Sequence, residues 1–257
     1  MANIKQQITT RLTMIYKFLP LILLVSLSFV GKDTSSETVE VKSITTDPKL
    51  VAENSKVSFA AKCKSFYQEL VAEDYSLPNF ESFSKAFEGY EQLKNQGKIE
   101  NDILTIVDFS LPSTEERMWV IDMKTKTILL QSLVAHGRNS GDNVATSFSN
   151  VSESFQSSLG FYTTGEVYQG KHGFSLRLDG LEKGINDNAR NRAVVIHGAD
   201  YVSKSFIKQH GRLGRSQGCP AVPYEVHETL INTIKNKSCL FIYHSSRNYV
   251  VKSKLVS

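Results

Sequence analysis

Apolar and polar residues alternate with three different rhythms along this chain, and the changes between them mark its segments. The first is a continuous apolar run, Phe18 to Val30, preceded by Lys5, Arg11 and Lys17. Its 13 residues fall short of the roughly 20 that a helix needs to span a bilayer. A basic flank before a run of this length reads as an export signal over residues 1–31, with Ser26 and Ser28 as small residues near a cleavage point. The alternative is an uncleaved membrane anchor. Residues 32–57 are rich in Ser, Thr, Lys and Glu without a sustained period, and read as a solvated linker.

A helical period follows over 58–98. Phe59, Cys63, Phe66 and Leu70 share one helix face, and after Pro78-Asn79 the residues Phe80, Phe83, Phe87, Tyr90 and Leu93 share another, as far as Gly97. This pattern predicts two helices packed on the domain that follows. From Ile103 the period drops to two. Strands are expected at 103–109, at 118–123 and 127–135 (a hairpin around Lys124-Thr125-Lys126), and at 159–164, 174–178, 193–197 and 239–243. A short helical pattern, Val202, Phe206 and Ile207, stops at Gly211, and a helix over 225–235 turns Val226, Leu230, Ile231 and Ile234 inward. Many short strands with scattered helices imply a mainly β (α+β) domain over 99–245, a sandwich or barrel-like core with peripheral helices. The tail, 246–257, reads as loosely attached.

Composition narrows the classes. The chain has 257 residues, 40% apolar content and a net charge of +4, enough for one domain with a sizeable core. No basic stretch is interleaved with aromatics, which argues against nucleic acid as a partner. The polar loop 136–158, with Gly137, Arg138, Asn139 and Gly141, reads either as the rim of a cleft or as a surface loop. It lacks the Lys-Ser/Thr pair and following helix of a phosphate cradle. Of three cysteines, Cys63 and Cys239 sit in apolar patterns and read as buried small hydrophobes, free or bridged to each other. Either way Cys219 stays free.

The chemistry gathers between Ala193 and Pro223. The apolar run Ala193 to Ile196 ends at His197-Gly198, and the stretch closes on Ser216-Gln217-Gly218-Cys219-Pro220. An imidazole at a strand end and a thiol in a glycine turn can meet across such a connection. The imidazole takes the thiol proton, because the thiolate is the reactive species. Gly218 permits a sharp turn, and the N–H groups of Gly218 and Cys219 are candidate oxyanion donors. Gly214-Arg215-Ser216-Gln217-Gly218 also fits G-x-S-x-G, but that elbow needs a strand before it and a helix after it. Here glycines precede the motif, and Pro220 and Pro223 follow it, so Ser216 is expected to bond within the turn or toward a substrate. His136, His172, His197, His210 and Cys219 show no close metal-ligand spacing, so no metal and no cofactor are expected.

At these residues the chain resembles the L,D-transpeptidases of the bacterial cell wall, in their murein L,D-transpeptidase catalytic domain branch. The likeness rests on Ile196-His197-Gly198 and Ser216-Gln217-Gly218-Cys219. It extends through Val107 to Pro112, Met118 to Asp122, Ala135 to Gly141, Ser158 to Tyr162 and Ser175 to Leu181. Gln217 departs from the family's His before the Gly-Cys pair, and Pro220-Ala221 from its Arg or Asn after it. The resemblance implies Cys219 as nucleophile, His197 as base and peptidoglycan stem peptides as partner. It implies acyl transfer to an amine, or to water as an L,D-carboxypeptidase, in the periplasm or cell envelope. A catalytically silent wall-binding module is the remaining alternative. Arg177, Arg212 and Arg215 are candidate partners for stem carboxylates or ordinary surface charges. His136 and His172 are further candidates for the substrate site. Exported protein is expected to lack the 1–31 signal, and N-terminal sequencing that returns Met1 would establish an anchor instead.

Overall fold

The computed structural model describes residues 48–256. The expected export signal and most of the expected linker lie outside the described residues. Eight strands form one mixed sheet: β1 (Ile103–Asp108), β2 (Met118–Asp122), β3 (Thr127–Ser132), β4 (Gly160–Gly170), β5 (Gly173–Gly180), β6 (Val195–Gly198), β7 (Ala221–Val222) and β8 (Cys239–Tyr243). Their order across the sheet is β3-β2-β1-β8-β4-β5-β6-β7. β1 runs parallel to β8, and β6 parallel to β7, while every other pair is antiparallel. Beyond β3 the chain returns to the far edge, where an antiparallel bridge joins Ala135 to Ala221. The sheet thereby curls into a nearly closed barrel, the second of the two β architectures that the period-two pattern allows.

Among the described residues, five helices surround it: α1 (Pro48–Gln68), α2 (Phe80–Asn95), α3 (Lys204–His210), α4 (Tyr224–Ile234) and α5 (Arg247–Lys252). The central strands β1 and β8 are buried at every position, as strands covered on both faces must be. α2 packs on both of them, and α4 on β1, β5 and β6. Asn79 caps α2 by accepting the Glu81 N–H at 2.8 Å. Phe59, Phe66, Phe83 and Phe87 interlock α1 and α2 with ring centroids 5.0–6.0 Å apart, so the aromatic stripe is helix packing. Cys63 and Cys239 are buried free thiols.

Two segments differ from the pattern-based expectation. Helix α1 begins at Pro48, so residues 48–57 are helical and not linker. Proline suits the first helical position, and no further Gly or Pro interrupts the next twenty residues. The tail is not loose either: α5 forms within it, and Tyr249, Leu255 and Val256 are buried. Its anchor is the buried Glu182, which accepts hydrogen bonds from the Tyr249 hydroxyl (3.0 Å), the Ser253 hydroxyl and the Phe161 N–H (2.8 Å). Three apolar residues without a period leave no trace that a pattern can detect.

Gly89 sets how closely α2 approaches the sheet. A Cβ there would lie 2.1 Å from the Phe161 ring, and Phe161 is itself stacked on Phe241 at 4.2 Å. Gly89→Ala is therefore expected to destabilise the fold by about 1–2 kcal/mol, overpacking outweighing the helix-propensity gain. Urea denaturation checks this, and a raised midpoint would mean that α2 can move outward without loss.

Candidate active site

The site follows from the pairing of β6 with β7. His197 stands opposite Ala221 and Gly198 opposite Val222 in parallel register, so Cys219, two residues before Ala221, comes level with Val195. The Val195 N–H indeed donates to Cys219 Sγ at 3.5 Å, and the thiol donates to the Ala193 carbonyl at 3.7 Å. Parallel strands require a crossover, supplied here by α3. Ser203 caps its start by accepting the Phe206 N–H at 3.1 Å, and Gly211, at φ +71°, ends it with a bond to the Ile207 carbonyl.

The turn that carries the thiol is held by hydroxyls. Ser216 Oγ accepts the Gly218 N–H at 3.0 Å and donates to the Cys219 carbonyl at 2.6 Å. Ser157 Oγ donates to the Gly218 carbonyl at 3.1 Å and accepts the Gly137 N–H at 3.0 Å. Gly218 adopts φ +124°, and a Cβ there would stand 2.8 Å from the Gln156 carbonyl. Only glycine fits both demands. Of the two candidate oxyanion donors, the Gly218 N–H already bonds Ser216 Oγ. Ser216 is no hydrolase elbow, since no strand ends before it and β7 follows it.

Cys219 and His197 line one cleft of about 560 Å³, together with His172, Arg192, Tyr201, Arg215, Ser216 and Gln217 among others. His197 is buried, and its Nδ1 lies 2.9 Å from the Gly198 carbonyl. A carbonyl only accepts, so Nδ1 carries the proton and Nε2 keeps its lone pair. Burial lowers the His197 pKa from 6.5, the facing carbonyl partly opposes this, and His172 and His227 add to the lowering. Burial likewise raises the Cys219 thiol above 9.0, against smaller lowering effects of the Val195 N–H and Arg192. Both shifts favour neutral partners, so the resting pair is thiol and imidazole, not thiolate and imidazolium.

The other sequence candidates divide. His172, exposed at the β4–β5 turn, stacks on His197 with ring centroids 4.4 Å apart. Arg215 lines the cleft while donating to the Gly141 carbonyl at 2.9 Å and pairing with Asp142. Arg212 is outside the cleft, paired with Asp142 at 2.7 Å. Arg177 is one ring removed, paired with Glu166 at 2.9 Å and lying 4.6 Å over Tyr168. His136 is buried behind the site against Arg117. Sequence reasoning did not reach Arg192 or Tyr201. Arg192 ends an unremarkable polar run, and Tyr201 is marked only by Gly214, where a Cβ would lie 2.4 Å from the tyrosine Cβ.

A half-buried thiol and a buried imidazole line one cleft of the curled β sheet. The L,D-transpeptidase catalytic domain family model matches residues 75–243, well over half of the chain, and the protein belongs to that family. No curated protein matches. Among solved structures, an L,D-transpeptidase from Mycobacterium smegmatis aligns with 11% identity and a TM-score of 0.34, covering 55% of this chain and 58% of that one. A mutant L,D-transpeptidase from Enterococcus faecium gives 16% identity and a TM-score of 0.33, covering 56% and 50%. A third, from Xylanimonas cellulosilytica, gives 10% and 0.32, covering 77% and 94%. The first of these matches thus span little more than half of the relative's own chain.

Because the two shifts oppose ionisation, alkylation of Cys219 by iodoacetamide is expected to rise with pH only above the ordinary thiol range. The thiolate fraction stays small until pH passes the raised pKa. Peptide mass spectrometry across pH checks this, and a profile centred well below that of free cysteine would establish a resting ion pair.

Proposed function

We propose that the protein is an exported peptidoglycan L,D-transpeptidase that works through a cysteine acyl-enzyme. The carrying observation is the shared cleft of Cys219 and His197, with the His197 proton fixed on Nδ1 by the Gly198 carbonyl. Family membership supports the substrate class, and the basic-flanked apolar run at 18–30 supports export.

The donor is a tetrapeptide stem. Cys219 Sγ attacks the carbonyl that joins the L-centre of its third residue to the terminal D-Ala, as His197 Nε2 takes the thiol proton. Charge develops on the carbonyl oxygen, where the Cys219 N–H donates. As the tetrahedral species collapses, the C–N bond breaks and His197 returns its proton to the departing D-Ala amine. A thioester remains. An acceptor amine then attacks it, His197 removes the amine's proton, and the thiolate departs and is reprotonated. This sequence requires no metal or cofactor. The cations Arg138 and Arg215 along the cleft suit a donor bearing carboxylates.

The test is mass spectrometry of the protein with a disaccharide-tetrapeptide and an amine acceptor. An acyl adduct on Cys219 and an exchanged product are expected, both abolished in Cys219→Ala. His197→Ala is expected to slow acylation by about 10²–10⁴-fold. A tripeptide alone would make water the acceptor, and thiol-independent turnover would remove Cys219 from the mechanism.

A further inference from the structure

The polar loop 149–158 lines the cleft beside the thiol through Glu153 and Phe155, and both of these residues are strained. Glu153 and Phe155 adopt left-handed backbone conformations, with φ of 59° and 54°, which side-chain-bearing residues rarely take without external support. Asn139 and Ser140 supply part of it, through the Phe155 carbonyl (3.1 Å), the Ser154 carbonyl (2.9 Å) and the Ser157 N–H (2.9 Å), and Arg192 adds four more hydrogen bonds. Arg192 Nη1 donates to the Ser149 carbonyl (2.7 Å) and the Ser158 hydroxyl (2.5 Å), while Nη2 donates to the Gln156 carbonyl (2.6 Å) and the Ser154 hydroxyl (3.3 Å). The two prongs of one planar group thus fix four points along ten residues of loop, which a lysine ammonium cannot reproduce.

The same guanidinium borders the thiol turn. A Cβ on Gly218 would stand 2.8 Å from the Gln156 carbonyl that Arg192 holds and 3.3 Å from Arg192 Nη2 itself. The next loop residue, Ser157, donates to the Gly218 carbonyl. Arg192 and Cys219 line the same cleft, and the chain then passes directly to Ala193 and Val195, whose backbone groups hold Sγ. We propose that Arg192 is a positioning residue for the acyl transfer, locking the strained loop against the Gly218 turn and presenting a fixed positive charge to the Cys219 sulfur. This rests on Cys219 being the reacting thiol. Arg192 is absent from the motif that marks the site in the sequence, and it acts through the thiol without itself breaking or forming bonds.

The test compares Arg192→Lys and Arg192→Gln in the full chain by two independent readouts. One is the pH profile of Cys219 alkylation by iodoacetamide, with Glu153, Tyr168, Lys171, His172, His197 and Tyr201 as the other titratable groups lining the cleft and Arg138 and Arg215 as its other fixed charges. The other is the steady-state kinetics of stem-tetrapeptide exchange. Arg192→Gln is expected to move the alkylation profile to higher pH and to lower kcat on the order of 10²-fold, with KM changed far less. Arg192→Lys keeps the charge without the fork, so its profile stays nearer the parent while kcat still falls. Parent-like profile and kcat in both variants would overturn the proposal. So would losses that only follow the folded fraction in a thermal melt. If the parent turns over no stem peptide, the proposed function fails, and the alkylation arm alone still decides the role of Arg192. Should neither variant fold, Ser158→Ala removes one acceptor of the fork, and smaller shifts in the same directions are expected. Their absence would overturn the proposal equally.

Discussion

Two adjacent residue pairs, His197 with Ala221 and Gly198 with Val222, constrain everything in the cleft. In a parallel pair a slip of one residue turns every side chain to the opposite face, which would take either the imidazole or the thiol out of the cleft. Close packing enforces the register. A Cβ on Gly198 would lie 2.5 Å from the Tyr224 ring, and the Ala199 N–H bonds the Val222 carbonyl at 2.9 Å. On the far side the Ala135 N–H bonds the Ala221 carbonyl at 2.8 Å. The short β7 is therefore held from both edges, and the turn before it inherits that rigidity.

Hydroxyls carry the rest of the framework. Ser140 accepts the Ser157 N–H at 2.9 Å, Ser157 reaches the Gly218 carbonyl, and Ser216 spans its own turn. Neutral groups of this kind satisfy buried backbone without adding charge to a site whose reactants rest neutral. In the proposed mechanism they also place the cost of ionising the thiol in the reaction itself, where the imidazole would take the proton.

The candidate site was legible in part because its marker residues lie in local patterns. A strand ending in His197-Gly198 and a Gly-Cys turn are visible as runs of residue types, and seven of the eight strands leave apolar or alternating traces. β7 does not, because two residues carry no period. The partners that complete the site are not legible for a different reason. Arg192, Tyr201 and Ser157 meet Cys219 only after the sheet has curled, and each lies in a polar stretch that looks like ordinary surface. Arg177 and Arg212 show the converse. Their charge suggested a carboxylate ligand, yet Glu166 and Asp142 of the same chain provide one.

His136 and His197 illustrate why residue type at a strand end does not fix a role. His136 follows the bridge residue Ala135 and His197 lies near the end of β6, both are buried, and burial favours the neutral form of both. Next to His136 stands the fully buried Arg117, whose Nη2 lies 2.9 Å from His136 Nδ1. A guanidinium can only donate, so there Nδ1 accepts and the ring's proton sits on Nε2. Burial, with Arg117 adding to it, drives the His136 pKa down to about 4. This imidazole therefore serves as a fixed acceptor that fills a donor's demand and has no lone pair free to take a proton from a substrate. At His197 the neighbour is a carbonyl, the proton is drawn to Nδ1, and Nε2 is left basic. One backbone oxygen in place of one guanidinium thus leaves opposite ring nitrogens with the free lone pair, and only the His197 arrangement suits the proposed base.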